Sequence, residues 1–331
     1  MIYTRNNKLG IYIPTFNRRK YLKECLESFL PDASKYGIPI YVSDNNSTDG
    51  TKDMVAKLKK SYQNIIYTKN GKKYGNTYGS NLINLLDIAE TEYFWLFGDD
   101  DVVRPGAVQK ILAQLKDCEF LQLNIEIWNH DLSKVLLKRK IKNDYSSGAA
   151  VSANDAFSNA KYGYAGYMGS IITKTRYLKE AFKNVDKKRF AADRFPHMSL
   201  FYPAIARKTG AFIYEPLINY RNIYELTGGE TQLWLISYPE ELSRLKPYYT
   251  DKEIANVTAQ PLYSMAGMLS INKLQNHSMI GTYRHYVLIN KGLGIFSKAL
   301  LLGILAMPDS LIKIIISPIM KINGMKMKKV N

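Results

Sequence analysis

The chain has 331 residues, 46% of them hydrophobic and 12% aromatic, enough to build a core in one large domain with an appendage, or in two domains. This composition excludes a disordered or low-complexity chain, and two separated cysteines, Cys25 and Cys118, offer no disulfide framework and read as reduced, buried thiols. The formal net charge of +17 favours polyanionic or anionic partners; nucleic acid, anionic lipid and phosphorylated small molecules all satisfy it.

In chain order, Leu9 to Pro14 reads as a buried strand ended by proline. Arg18 to Leu30 has helical apolar spacing through Tyr21, Leu22, Cys25, Leu26, Phe29 and Leu30. Ile38 to Ser43 is a second strand, Thr51 to Lys60 a helix and Asn64 to Thr68 a third strand. Thr77 to Ala89 follows as a helix and Tyr93 to Phe97 as a fourth strand. A helix over Arg104 to Leu115, opened by Pro105 in its first turn, leads to strands at Phe120 to Trp128 and Val135 to Lys140. The pattern continues with a helix from Ser152 to Asn159, capped by Ser152, a strand at Ser170 to Lys174 and a helix at Thr175 to Asn184. An apolar helix over Phe195 to Lys208 and a strand at Ala211 to Tyr214 complete it. Alternating strands and helices predict an α/β fold with a mostly parallel central sheet.

Ligands of open α/β sheets gather at the carboxyl ends of the strands. Three polar clusters fall there: Pro14-Thr15-Phe16-Asn17, Asp44-Asn45-Asn46-Ser47 and Gly98-Asp99-Asp100-Asp101. Adjacent aspartates repel unless a cation lies among them. Hard carboxylate oxygens suit Mg²⁺ or Mn²⁺, whose remaining positions go to phosphate oxygens and water.

The blocks Ile13-Pro-Thr-Phe-Asn-Arg18, Val42-Ser-Asp-Asn-Asn-Ser-Thr-Asp-Gly-Thr51 and Trp95-Leu-Phe-Gly-Asp-Asp-Asp101, with their spacing, resemble the family 2 inverting glycosyltransferases of the GT-A fold. The resemblance covers about residues 8 to 220 and is strongest to bacterial O-antigen or capsule enzymes of the abequosyltransferase-like group. It implies a Rossmann-like nucleotide-diphospho-sugar transferase fold. It also implies Mn²⁺ or Mg²⁺ as cofactor and a nucleotide-sugar donor, a UDP- or dTDP-sugar, whose base and ribose meet Pro14, Thr15, Asn17 and Asp44. Asn76 and Asn81 hold the family's places beside the donor. Many members carry Asp where this chain has Gly98. The metal role therefore falls first on Asp100, with Asp101 beside it and Asp99 toward the donor, and which of Asp99 and Asp101 touches metal stays open.

Displacement at an anomeric carbon needs a general base for the acceptor hydroxyl. The resemblance assigns this to Asp193, where the usual Glu-Asp pair is Ala192-Asp193. A helix N-cap is the alternative for that carboxylate. Tyr164, His197 and Arg221 are candidate acceptor or phosphate contacts, with a structural role open for each.

The pattern changes after Tyr224. Leu233 to Gln275 reads as mostly helical, with turns near Lys246-Pro247 and Gln260-Pro261. Gly292 to Met320 is apolar but interrupted by Lys298, Pro308, Asp309 and Lys313, so two short helices fit better than a spanning one. The expected division is a catalytic domain over 1–225, with nucleotide-binding and acceptor halves meeting near 103. A helical extension over 226–290 and an apolar, basic tail over 291–331 follow. Apolar helices beside lysines fit an anionic membrane surface. Met1 to Lys8 lacks the apolar run of a signal peptide. The expected location is cytoplasmic, peripheral on the inner face of the cell membrane. The expected acceptor is a glycan, or one linked to polyprenyl diphosphate; a homo-oligomer is compatible. Rival readings are a nucleotidyltransferase with the same aspartate–metal logic, a basic nucleic-acid-binding protein and an inactive sugar-binding relative. No nucleic-acid-recognition motif supports the second, and nucleic acid is not an expected partner.

Overall fold

The computed structural model describes residues 5–71, 74–116, 118–138, 141, 147–160, 164–222, 233–258, 265–266, 269–270, 273–274, 279–289 and 294–322. The chain divides into two compact units, Met1–Ala160 with Tyr164–Asn222, and Ile223–Asn331 with Lys161–Gly163.

The first unit is built on a ten-stranded sheet. Its centre is β1 (Leu9–Thr15), buried at every position and paired in parallel with β2 (Ile40–Asp44) on one side and β4 (Tyr93–Leu96) on the other. β3 (Ile65–Lys69) extends this parallel block beyond β2. Beyond β4 the order runs β9 (Ile171–Lys174), β6 (Phe120–Trp128), β10 (Thr209–Arg221) and β5 (Val102–Val103). There β6 and β10 are parallel, while β9 and β5 are antiparallel to their neighbours. Two short antiparallel strands flank this half, β7 (Val135–Leu137) on β6 and β8 (Ala149–Ser152) on β10.

Helix α1 (Arg19–Lys35) buries Leu22, Cys25, Leu26, Phe29 and Leu30, as their spacing requires. It continues past Pro31, where the sequence reading ends it, and buries Ala33 as well. α2 (Thr51–Lys59) and α3 (Tyr78–Asp87) link the parallel strands, and the Thr77 hydroxyl caps α3 by accepting from Ser80 N at 3.1 Å. The packing beneath β4 is aromatic. Trp95 is fully buried, meets Phe29 and Phe97 edge-on, and donates from Nε1 to the Gly169 carbonyl at 3.0 Å. Such burial is worth about 1.5–3 kcal/mol per side chain, and it fixes the strand that delivers the acidic run.

Two further boundaries differ from expectation. α4 spans Ala107–Gln114, so Pro105 precedes the helix instead of opening it; Gly106, at φ +79°, makes the entry turn. Arg104 is drawn to β10, its N–H donating to Leu217 O at 3.0 Å and Nε to Asn219 Oδ1 at 3.0 Å. β10 runs to Arg221 instead of stopping at Tyr214, because a register shift between Ile213 and Ile218 absorbs Pro216, which cannot donate to the ladder.

After α5 (Ala153–Ser158) and α6 (Thr175–Phe182) comes α7 (Lys187–Ala192), absent from the sequence reading and capped by the Asp186 carboxylate. α7 packs so closely on α3 that a Cβ on Gly79 would lie 2.3 Å from the Phe190 carbonyl. α8 covers Pro196–Ile205, ending three residues before the expected Lys208.

The second unit is helical among its described residues. A π-helical turn (Leu233–Ser237) leads into α9 (Tyr238–Ser243), followed by α10 (Asp251–Thr258) and α11 (Ile280–Ile289). The expected turn at Gln260-Pro261 and the end of the basic tail, 323–331, lie outside the described residues. α12 (Ile295–Ala306) and α13 (Asp309–Ile322) meet at a bend of 114° around Pro308. Leu301 and Leu305 of α12 bury against Tyr283 and Val287 of α11, with Met265 and Leu269. Among the described residues no single helix is long and apolar enough to cross a membrane.

Candidate active site

The site begins with what a proline does at a strand end. Along β1 the odd-numbered amides face β2, as Ile11 N to Pro39 O and Asn45 N to Thr15 O show, while the Tyr12 carbonyl receives Phe97 N. The missing amide of Pro14 therefore falls on the β4 side, beyond the last paired residues, Tyr12 and Leu96. β1 and β4 part there, and the acidic run leaves β4 into the opening.

Gly98 shapes the turn that follows. A Cβ on it would stand 3.0 Å from Asp100 Oδ1 and 3.1 Å from Asp101 Oδ2. The absent side chain is thus what lets two carboxylates fold back toward one point. The third carboxylate, Asp99, is buried; its Oδ2 accepts from Thr15 Oγ1 at 2.7 Å and its Oδ1 from Arg18 Nη1 at 3.1 Å. The same Arg18 nitrogen donates to Asp100 Oδ2 at 2.8 Å. Burial raises the Asp99 pKa to about 6, with the Asp100 charge adding to it, against the opposing effects of Arg18 and Thr15. Burial and the same neighbour also push Asp101 well above the usual carboxylate range. Carboxylates crowded and desolvated in this way are short of positive charge.

Arg221 supplies part of that charge, but not as an exposed phosphate contact. It is buried, and its backbone N–H donates to Asp101 Oδ1 at 2.8 Å. Its Nε donates to the Asp100 carbonyl at 2.7 Å, Nη1 to His130 O at 2.9 Å and Nη2 to Glu24 Oε2 at 2.5 Å, while its guanidinium lies over the Tyr21 ring. It clamps the acidic loop from behind, at the end of the stretch of β10 that the sequence reading cut short.

Among the described residues no group of three or more His, Cys, Asp or Glu side chains is already arranged around a metal position. The donor chemistry nonetheless fits a hard divalent cation. Two carboxylates converge over a glycine, Asp100 is the more exposed of them, and a nucleoside diphosphate with water would complete an octahedral shell.

Along the rim, three loops are stitched by asparagines. Asn17, at φ +50°, donates from its backbone N–H to Ser47 Oγ at 2.8 Å and accepts Thr48 N on Oδ1 at 2.8 Å. Asn46, at φ +64°, donates to Asn76 Oδ1 at 3.1 Å. Short polar side chains tolerate this left-handed backbone and bridge it. Asn81 is enclosed and holds the two strand ends together, donating to Ser43 O at 2.8 Å and Thr15 O at 3.2 Å. Asp44 is also enclosed: Oδ1 accepts from Ser47 N at 2.8 Å and Ser47 Oγ at 2.6 Å, and Oδ2 from the Tyr67 hydroxyl at 2.5 Å.

On the far side of the acidic run lies the segment Tyr164–Gly169. The Tyr164 hydroxyl, expected to face an acceptor, is buried and donates to the Leu123 carbonyl. Met168 is the residue that reaches the rim, its Cε 3.5 Å from the place a Gly98 Cβ would take. Tyr167, Met168, Gly169, Leu96 and His197 line a small pocket there. His197 Nε2 pairs with Gly166 O at 3.0 Å and Nδ1 with the Tyr78 hydroxyl at 3.0 Å. Burial lowers its pKa to about 4, so the imidazole is neutral, with Nε2–H donating to the carbonyl and Nδ1 accepting from Tyr78. Four residues before it, Asp193 ends α7 instead of capping α8, which begins after Phe195. Asp193 Oδ2 lies 3.8 Å from Arg189 Nε.

Arg18, on Asp99 and Asp100, and Tyr67, on Asp44, have site contacts but no role assigned from the sequence. A signal was present for Arg18: it precedes the first turn of α1, where the helix dipole disfavours a cation, so another interaction has to hold it there.

Comparisons with known proteins bear on the family and the fold. Residues 10–132 match the family described as glycosyl transferase family 2. Over 98 residues the chain is 38% identical to abequosyltransferase RfbV of Salmonella typhimurium, covering 29% of this chain and 28% of that one. Over 110 residues it is 34% identical to the GalNAc(5)-diNAcBac-PP-undecaprenol beta-1,3-glucosyltransferase of Campylobacter jejuni, covering 33% and 35%. The aligned stretch thus spans about a third or less of these curated relatives. Among solved structures, S. aureus TarS 1-349 in complex with UDP superposes with a TM-score of 0.54 at 16% identity, covering 96% of this chain and 87% of that one. Mannosyltransferase PcManGT from Pyrobaculum calidifontis, in complex with GDP-Man and Mn2+, gives 0.53 at 13% identity, covering 94% and 90%. The likeness to these structures is one of fold, the GT-A fold.

Proposed function

We propose, because residues 10–132 match the family described as glycosyl transferase family 2, that the protein is an inverting glycosyltransferase using a nucleotide-sugar donor. The observation that carries the reading is the meeting of Thr15, Asp99, Asp100 and Asp101 where β1 and β4 separate. Asp100 and Asp101 would hold Mn²⁺ or Mg²⁺, with Asp99 tied to the donor side through Thr15. When bound, the cation neutralises the diphosphate leaving group.

The chain's own residues do the rest. Thr15 orients Asp99 by donating to it, and Arg221 keeps the acidic loop at one height by binding the Asp100 carbonyl and the Asp101 carboxylate. Asp44, Asn17 and Asn76 form the rim for base and ribose. A UDP- or dTDP-sugar would bring its imide N–H to the Asp44 carboxylate in exchange for the Tyr67 hydroxyl that donates to Oδ2. The Met168–Tyr167 surface offers an apolar floor to sugar C–H faces. Asp193 is the proposed base, receiving the acceptor hydroxyl proton; its support is its place in the family pattern, four residues before His197, whose Nε2 pairs with the Gly166 carbonyl of the Met168 loop.

The acceptor proposed is a glycan carried on a polyprenyl diphosphate, in line with the undecaprenol-linked substrate named for the Campylobacter relative. Exposed Phe296, Ile295, Ile314 and Ile315 beside Lys298 and Lys313 support attachment of the second unit to an anionic membrane surface at its cytoplasmic face.

The test is hydrolysis and transfer from a panel of UDP-, dTDP- and GDP-sugars with Mn²⁺ or Mg²⁺, comparing wild type with Asp100→Asn and Asp193→Asn. At least one donor is expected to release nucleoside diphosphate. Asp100→Asn should lower turnover at least about 100-fold, and Asp193→Asn should lower transfer while leaving nucleotide binding intact. Release of pyrophosphate instead would assign a nucleotidyltransferase, and failure of every donor to bind would end the transferase reading.

A further inference from the structure

We infer that Arg18 is a resident cation of the acidic run: its guanidinium holds Asp99 and Asp100 while the donor site is empty, and moves to the phosphate oxygens of an incoming nucleoside diphosphate when a divalent cation takes the carboxylates. The inference rests on the transferase reading above and adds a coupling device that this reading does not contain.

The first argument is charge. Asp99 and Asp100 pair with the Arg18 guanidinium, Glu24 pairs with that of Arg221, and Asp101 accepts from the Arg221 backbone N–H, so the four carboxylates and two guanidinium groups, fully ionised, carry two negative charges in excess, matching one divalent cation. Of the two arginines, Arg221 is spent on four protein groups and buried. Arg18 is 46% exposed and uses one nitrogen, Nη1, for both carboxylates. Its remaining N–H groups have no hydrogen bond among the described residues, and a guanidinium fork suits phosphate oxygens.

The second argument is mechanical. The main chain on both sides of Arg18 is pinned: Asn17 by Ser47 and Thr48, and the Arg19 N–H by Asp49 Oδ2 at 2.8 Å. The side chain can swing while the rim loop stays in place. A cation entering alone must displace Arg18 into water. A cation entering with a diphosphate gives the guanidinium a new partner. Cation and nucleotide then bind with positive coupling, and by linkage each strengthens the other equally.

The test is Mn²⁺ binding, followed by the electron paramagnetic resonance of the free ion, with and without UDP, on full-length wild type, Arg18→Gln and Arg18→Lys. Wild type is expected to bind Mn²⁺ about 10-fold more tightly when UDP is present. Arg18→Gln should bind Mn²⁺ alone several-fold more tightly than wild type and lose most of the UDP effect. Arg18→Lys, which keeps the charge without the fork, should fall between them. Mn²⁺ affinity and coupling unchanged in Arg18→Gln would overturn the inference and leave the transferase reading standing. Absence of Mn²⁺ binding to wild type, with UDP or without, would overturn both.

Discussion

The hydroxyl of Tyr67, on β3, donates to Asp44 Oδ2 at 2.5 Å, so the carboxylate proposed to read the nucleobase is already covered by a neighbour within its own sheet. A base can reach this oxygen only by replacing the tyrosine hydroxyl. The same contact keeps the phenol protonated, since burial and the adjacent carboxylate raise its pKa well above the usual value.

Tyr67→Phe is therefore expected to strengthen UDP binding a few-fold by freeing Asp44 Oδ2. Asp44→Asn should weaken it by about 10-fold or more, the usual scale for losing a charge-assisted hydrogen bond. Isothermal titration with UDP checks both. Unchanged affinity in the two variants would remove Asp44 from the base pocket.

His197 makes the protein sensitive to acid. Its pKa is about 4 in the fold against 6.5 unperturbed, so the unfolded chain binds more protons between these values. The stability from the neutral imidazole is complete above pH 6.5 and is lost as pH falls toward 4, up to about 3 kcal/mol. Asp99, raised to about 6, acts in the opposite sense over part of that window. Denaturant unfolding of wild type and His197→Gln from pH 4 to 8 separates the two, because only the imidazole contribution differs between the curves. Parallel curves would show that His197 does not titrate as assigned.

Gly79→Ala should destabilise the first unit by about 2 kcal/mol or more, because its methyl would meet the backbone of α7 and not a movable side chain. The strain falls on the helix that ends in Asp193, so turnover should fall with stability. Chemical denaturation together with donor hydrolysis tests this, and a variant as stable as wild type would refute the close α3–α7 packing.

Replacing Phe296 and Ile314, 89% and 68% exposed, by aspartate should leave unfolding unchanged while reducing sedimentation with vesicles containing anionic lipid. Equal sedimentation of the double variant would dissociate these helices from membrane attachment.

The sequence by itself determined the parallel block and its rim. Buried strands such as Leu9–Thr15 are short apolar runs with polar residues at their carboxyl ends, and period and punctuation are local properties. The bend at Pro308 was legible for the same reason. The tertiary structure alone decided which rim polar groups are already engaged within the fold. Asn81, Tyr164 and Arg221 look like site residues in one dimension, yet their polar groups are used on Ser43, Leu123 and the acidic loop. Conversely, Arg18 and Tyr67 acquire their places from residues 81 and 23 positions away. Hydrogen bonding of a buried polar group is settled by what the fold brings beside it, and that proximity is not written in local spacing.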